Sequence, residues 1–141
     1  MIRLYLDIDG VLLTKRNTQS PDFGAEFIVF VTQYFDCYWL TTHCRGLAHT
    51  AVQYLASFYG VSTLQHLQAV KATMWETLKT EAIDFSTDFY WLEDAPFKSE
   101  QLALHKHGLT DRLLLVDLDL DKAFELRKHK MYLEELLTAT E

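Results

Sequence analysis

Arg3-Leu4-Tyr5-Leu6-Asp7-Ile8-Asp9-Gly10-Val11-Leu12 is the stretch that decides how the chain is read. Its first part, Arg3 to Ile8, is a short apolar run bounded by Gly10, the pattern of a buried strand. The two aspartates lie two positions apart, so both side chains face one way if the strand continues through them. Carboxylates set directly behind an apolar strand need compensation, because an unpaired charge there is costly. A divalent cation with oxygen ligands is the natural partner. With their pKa values pushed apart, one carboxylate attacks an electrophile while the other handles a proton. Gly10 lets the backbone turn sharply beside them. The plainer reading is a strand-to-loop turn capped by two aspartates, since Asx turns are common.

Outward from this stretch, short apolar runs alternate with segments of helical period, the signature of an α/β sheet with crossover helices. Ser20-Pro21 predicts a helix start, followed by Phe23, Phe27, Phe30, Val31 and Tyr34 on one face. Cys37 to Leu40 reads as a second strand, ended by Thr41-Thr42. Ala48, Ala51, Val52, Leu55 and Phe58 predict a helix closed by Gly60. Residues 61–68 are ambiguous, with a short edge strand as one reading, and 70–83 is a helix with Trp75, Leu78 and Ala82 inward. Phe89 to Leu92 is a third strand, ended by Glu93-Asp94. Lys98 to His107 is helical, with Gly108 as its stop, and Leu113 to Val116 is a fourth strand. From Asp121 the chain is helical, divided in two where Arg127 to Lys130 breaks the apolar stripe. Asp7 and Asp9, Thr41 and Thr42, Glu93 and Asp94 all fall at the carboxyl ends of strands. In an open parallel sheet that is where ligands bind, so one shared site is expected.

Composition narrows the class. With 141 residues and 49% hydrophobic content, one domain spanning 1–141 buries a real core. No apolar run approaches about 20 residues, which excludes a membrane-crossing helix, and the N-terminus lacks the layout of a signal peptide. The cytoplasm is the expected compartment. The net charge of −7 disfavours a phosphate-tracking nucleic-acid binder. Lys122, Arg127, Lys128 and Lys130 do cluster, as a solvated helix face commonly does. Cys37, His43, Cys44 and His49 match no common zinc spacing. His105, His107 and His129 are expected at the surface. Trp39 and Trp91, two residues before the polar strand ends, are expected in the core.

Asp7-x-Asp9-Gly10-Val11 behind an N-terminal strand resembles the first motif of the haloacid dehalogenase-like superfamily, mostly phosphatases. Thr41 resembles its second-motif Ser/Thr, with Thr42 as the alternative. Lys79 resembles the third-motif lysine, with Lys71 as the competitor. Glu93-Asp94 resembles the acidic fourth motif, although many relatives carry two aspartates there. The ordered set spans residues 3–94. The resemblance implies a three-layer α/β/α Rossmann-like sandwich with a central, mostly parallel sheet. It implies Asp7 as nucleophile through an aspartyl-phosphate and Asp9 as general acid and base. It also implies Mg²⁺ held by Asp7, the Asp9 carbonyl, and Glu93 or Asp94. Arg45 is read either as a clamp for a second phosphate or a substrate carboxylate, or as a surface arginine near a helix start.

The intervals from Leu12 to Asp36 and from Thr41 to Lys79 are too short for a folded cap domain. A capless member has an open site suited to a phosphorylated substrate that is large, or to a partner that closes it. Two alternatives stand beside the phosphatase reading. One is a non-catalytic domain that binds a phosphorylated ligand or protein. The other is a phosphatase acting on nucleic-acid ends, using the basic run near Lys122 as a track.

Overall fold

Four short strands lie side by side in the order β2-β1-β3-β4: Arg3–Leu6 (β1), Asp36–Trp39 (β2), Phe89–Glu93 (β3) and Leu113–Leu115 (β4). Each pairing is parallel. The computed structural model describes residues 1–139. Among these, five α-helices accompany the sheet: Gly24–Tyr34 (α1), Ala48–Leu55 (α2), Val61–Leu67 (α3), Lys98–Lys106 (α4) and Glu125–Ala139 (α5). The chain is therefore an α/β protein with a four-stranded parallel sheet, compatible with a Rossmann-like sandwich.

Strand alternation sorts the core onto the two faces of the sheet. Leu4, Leu6, Cys37, Trp39, Tyr90 and Leu92 pack with residues of α1, α2, α3 and α5. Tyr5, Leu40, Phe89 and Trp91 pack the other way, with Leu104 of α4, Trp75 and Ile83. Trp39 and Trp91 are fully buried. β1 and β3, the two inner strands, are apolar on both faces, and for that reason they read as continuous hydrophobic runs.

Several sequence expectations are corrected. Residues 61–68 form no edge strand: Thr63 and Leu67, four apart, are the buried positions of α3. Edge pairing comes later. The Lys71 N–H donates to the Cys37 carbonyl (2.9 Å), and the Trp39 N–H donates to the Lys71 carbonyl (2.8 Å), extending the sheet beyond β2. The Thr73 hydroxyl bonds the Trp39 carbonyl in the same stretch. These bonds satisfy the free edge of β2 and displace the helix expected over 70–83, of which only a 3-10 turn at Lys79–Ala82 forms. Trp75 is nonetheless buried.

Nor does α1 begin at Ser20-Pro21. The chain first makes a turn in which the Gly24 N–H donates to the Pro21 carbonyl (3.0 Å), and the helix starts at Gly24 without a side-chain cap. Gly24 fits because a Cβ there would stand 2.5 Å from the Tyr59 hydroxyl. The C-terminal helix is undivided. His129 is buried rather than at the surface, and Leu126, His129 and Leu133 form one inward stripe. The His129 ring meets the buried Glu125 carboxylate at 3.3 Å, which allows a polar residue to continue that stripe. No helix among the described residues is long and apolar enough to cross a membrane.

Tyr59, just beyond α2, donates its hydroxyl to the Leu12 carbonyl (2.6 Å), tying this layer to the loop that follows Asp9. Tyr59→Phe leaves that buried acceptor unpaired. The expected loss is about 1–2 kcal/mol in urea unfolding, with an unchanged m-value. An unaltered midpoint would show that the bond contributes nothing.

Candidate functional site

Register decides which side chains meet. Leu6 of β1 pairs with Leu92 of β3, so the next residues, Asp7 and Glu93, emerge side by side. They share the sheet face that carries Tyr5 and Trp91. Adjacent strands are only about 4.8 Å apart. Both carboxylates are buried, Asp7 at 6% exposure and Glu93 at 3%.

Lys79 sits on the same side of the sheet. Its ammonium lies 3.2 Å from Asp7 Oδ2 and 2.6 Å from Glu93 Oε1. Its backbone is fixed independently by the buried carboxylate of Glu100, which accepts from the Lys79 N–H (2.7 Å) and the Phe97 N–H (2.8 Å). α4 thus holds the lysine against the strand ends. Lys71 is placed elsewhere, in an ion pair with Asp36 (2.9 Å) at the start of β2.

The loop after β1 is equally constrained. The Ile8 carbonyl faces the N–H groups of Val11, Leu12 and Leu13 at 2.9–3.1 Å, and the Gly10 N–H donates to the Leu13 carbonyl (2.7 Å). β1 ends at Leu6. Asp7 and Asp9 therefore share a cleft because the chain turns, not because a strand continues through them. Gly10 has φ +84°, and a Cβ there would stand 2.3 Å from the Asp94 carboxylate. Both the conformation and the close approach require glycine.

Asp9 is more open, its side chain 40% exposed, and it receives the His43 ring: Nε2 to Oδ2 is 2.9 Å. The Tyr54 hydroxyl stands 3.5 Å from Oδ1. Asp94 takes Lys15, Nζ to Oδ2 2.6 Å. Asp7, Asp9, Lys15, Thr42, Lys79, Glu93, Asp94 and Ala95 line a cleft of about 180 Å³.

Thr42 faces this cleft. Thr41 is buried, its hydroxyl accepting from the His43 N–H (3.3 Å). Arg45 does not line the cleft; its guanidinium stacks on the Trp75 ring, 4.3 Å from the centroid. The stacking satisfies the cation on an aromatic face instead of leaving it aimed at a ligand. Lys15, Tyr54 and Glu100 are the residues that sequence reasoning did not place. His43 was placed only as part of the loop after Thr41-Thr42, beside the expected site.

The electrostatics follow from burial. Desolvation first, and then the neighbouring Asp7 carboxylate, push Glu93 up to about 7, with Lys79 opposing. Burial also raises Asp94, against the pull of Lys15. For Lys79, burial works to lower the value, but Asp7 and Glu93 together outweigh it and leave it raised. Four carboxylates meet two lysines, and the surplus is negative. One oxygen each from Asp7, Glu93 and Asp94 fall within 4.8 Å of one another, the donor set of a hard divalent cation. Cys37 instead donates its thiol to the Val31 carbonyl. No protein-family model matches the chain, and no curated protein matches it significantly.

The raised Glu93 carries a pH signature. From its ordinary 4.5 to about 7, the folded chain binds a proton that the unfolded chain has released, so stability falls as pH rises through that window. In metal-free protein, Glu93→Gln is expected to flatten this fall, measured as urea-unfolding free energy across the window. A decline of equal slope in the variant would contradict the assignment.

Proposed function

We propose that the chain is a Mg²⁺-dependent phosphatase of haloacid dehalogenase-like type that hydrolyses a phosphomonoester through Asp7. The observation that carries this reading is the asymmetry of the two aspartates. Asp7 is buried and locked against Lys79 and Glu93, while Asp9 opens onto the same cleft with different partners. Two carboxylates in unlike surroundings are suited to unlike roles.

In the first step an Asp7 oxygen attacks phosphorus, and the bond from phosphorus to the leaving-group oxygen breaks. The proton held by Asp9 passes to the departing oxygen. In the second step water attacks the phosphorus of the acyl phosphate and gives a proton to Asp9. The bond between Asp7 and phosphorus breaks, which restores the carboxylate and releases orthophosphate.

Lys79 holds the attacking carboxylate in place and offsets charge as the phosphoryl group arrives. Thr42, at the cleft wall, offers its hydroxyl to the phosphoryl oxygens, while Thr41 shapes the turn beneath it. Asp7, Glu93 and Asp94 would hold Mg²⁺. Bound there, the ion supplies the positive charge that lets a phosphate dianion approach a carboxylate.

The finer reading of the fold, a three-layer sandwich without a cap, rests on how the two intervals are used. α1 fills the first, and α2 and α3 occupy the second; all three contribute to the core rather than to a lid. The open cleft suits a phosphate displayed on a large partner. Nucleic-acid ends fit less well, because most of the basic run is engaged within the chain. Arg127 lies over the Phe23 ring, Lys128 pairs with Glu125, and Lys130 pairs with Glu134.

Hydrolysis of a generic aryl phosphate with Mg²⁺ tests the reading. Asp7→Asn, near-isosteric, is expected to lower turnover by about a thousandfold or more while the protein stays folded. Turnover that survives in the variant would remove Asp7 from the mechanism. An inactive wild type that still binds Mg²⁺ and phosphate would favour a binding domain.

A further inference from the structure

His43 and Tyr54 reach Asp9 from the β2–α2 loop and from α2, on the side of the sheet opposite α4. Their rings stack with centroids 3.8 Å apart and planes 11° from parallel. His43 is pinned at three places. Its N–H donates to Thr41 Oγ1 (3.3 Å), its carbonyl accepts from Thr50 Oγ1 (2.6 Å), and its ring rests on Tyr54. This investment in one side chain serves a single visible end, the 2.9 Å contact between Nε2 and Asp9 Oδ2.

A carboxyl oxygen that bears no proton only accepts, so in this contact Nε2 carries the hydrogen to Oδ2. A half-exposed aspartate without such a partner samples several rotamers, and a proton donor out of place loses much of its effect. At 3.5 Å the Tyr54 hydroxyl is a weak partner for Oδ1. Tyr54 therefore acts chiefly through the ring stack, and Oδ1 remains available.

We propose that His43, backed by Tyr54, is a positioning residue for Asp9: it fixes Oδ2 and so makes Oδ1 the oxygen that carries and returns the proton. The proposal rests on the phosphatase reading above. It adds a role for residues outside the ordered motifs. His43 touches neither phosphorus nor the leaving group; it acts through Asp9.

Proton donation matters in proportion to how poor the leaving group is, and this supplies a readout that a merely structural residue would not move. Turnover of an alkyl phosphate is compared with that of an aryl phosphate bearing a good leaving group, both with Mg²⁺. Wild type, His43→Ala and His43→Gln are measured. Because both substrates are assayed on the same preparation, the ratio cancels any loss of folded protein.

His43→Ala is expected to lose roughly 10- to 100-fold on the alkyl ester and less than about threefold on the aryl ester. His43→Gln, whose amide restores a donor, is expected to recover most of the alkyl activity. Equal losses on both substrates, or no recovery in the glutamine variant, overturn the positioning role and leave the phosphatase reading standing. A wild type inactive on both overturns the phosphatase reading and this proposal with it.

Discussion

Two carboxylates brought side by side at the ends of adjacent parallel strands are the constraint on which the site depends. Strand spacing sets their separation, and burial removes the water that would screen them. Like charges held this close with little water between them repel each other far more than they would in bulk solvent. The fold offsets this repulsion with Lys79, and holds that lysine from behind through the Glu100 carboxylate on its own N–H. Burial first, and then the Asp7 carboxylate, still push Glu93 up to about 7 despite its ion pair. A third carboxylate, Asp94, comes close only because Gly10 has no side chain to obstruct it.

Each face of the sheet contributes a different half of the cleft. The face packed by α4 supplies the cation and the rigid backing for Asp7. The face packed by α2 supplies the His43–Tyr54 stack that meets Asp9. The two aspartates are close in sequence but answer to different layers. One is buried and locked; the other is more exposed and held chiefly by the His43 ring, with the Tyr54 hydroxyl a longer second contact. A parallel sheet makes this division natural, since its strand ends open between two helical layers.

The inner strands and the polar strand ends were legible because their causes are local: apolar runs of strand length, each stopped by acidic or hydroxyl residues. Asp7, Asp9, Glu93 and Asp94 were named on that ground, Lys79 on the family resemblance, and the structure brings them around one cleft, where Thr42, the alternative to Thr41, is the threonine that lines it. Residues 61–83 were misread because the deciding forces are tertiary. The free edge of β2 claims the backbone of Lys71, overriding the helical spacing of Trp75, Leu78 and Ala82. His129 was placed outside for a similar reason: nothing in its neighbourhood announces that Glu125 will be buried with it. Arg45, readable as an anion clamp or as a surface arginine, lies over the Trp75 ring, a partner distant in sequence that no local pattern announces. Lys15 carries no local signal, since its partner Asp94 is distant in sequence, and Glu100 shows locally only its contact with the Phe97 N–H at the start of α4, not its bond to Lys79.

The central claim is that Asp7 itself becomes phosphorylated during turnover. Mixing enzyme, Mg²⁺ and excess phosphomonoester, quenching in acid within the first turnovers, and reducing with borohydride converts an aspartyl-phosphate to homoserine. Peptide mass spectrometry then reads the position directly. The expected result is homoserine at position 7, absent when substrate is omitted. Burst release of leaving group with position 7 unmodified and the label on another residue would contradict the account.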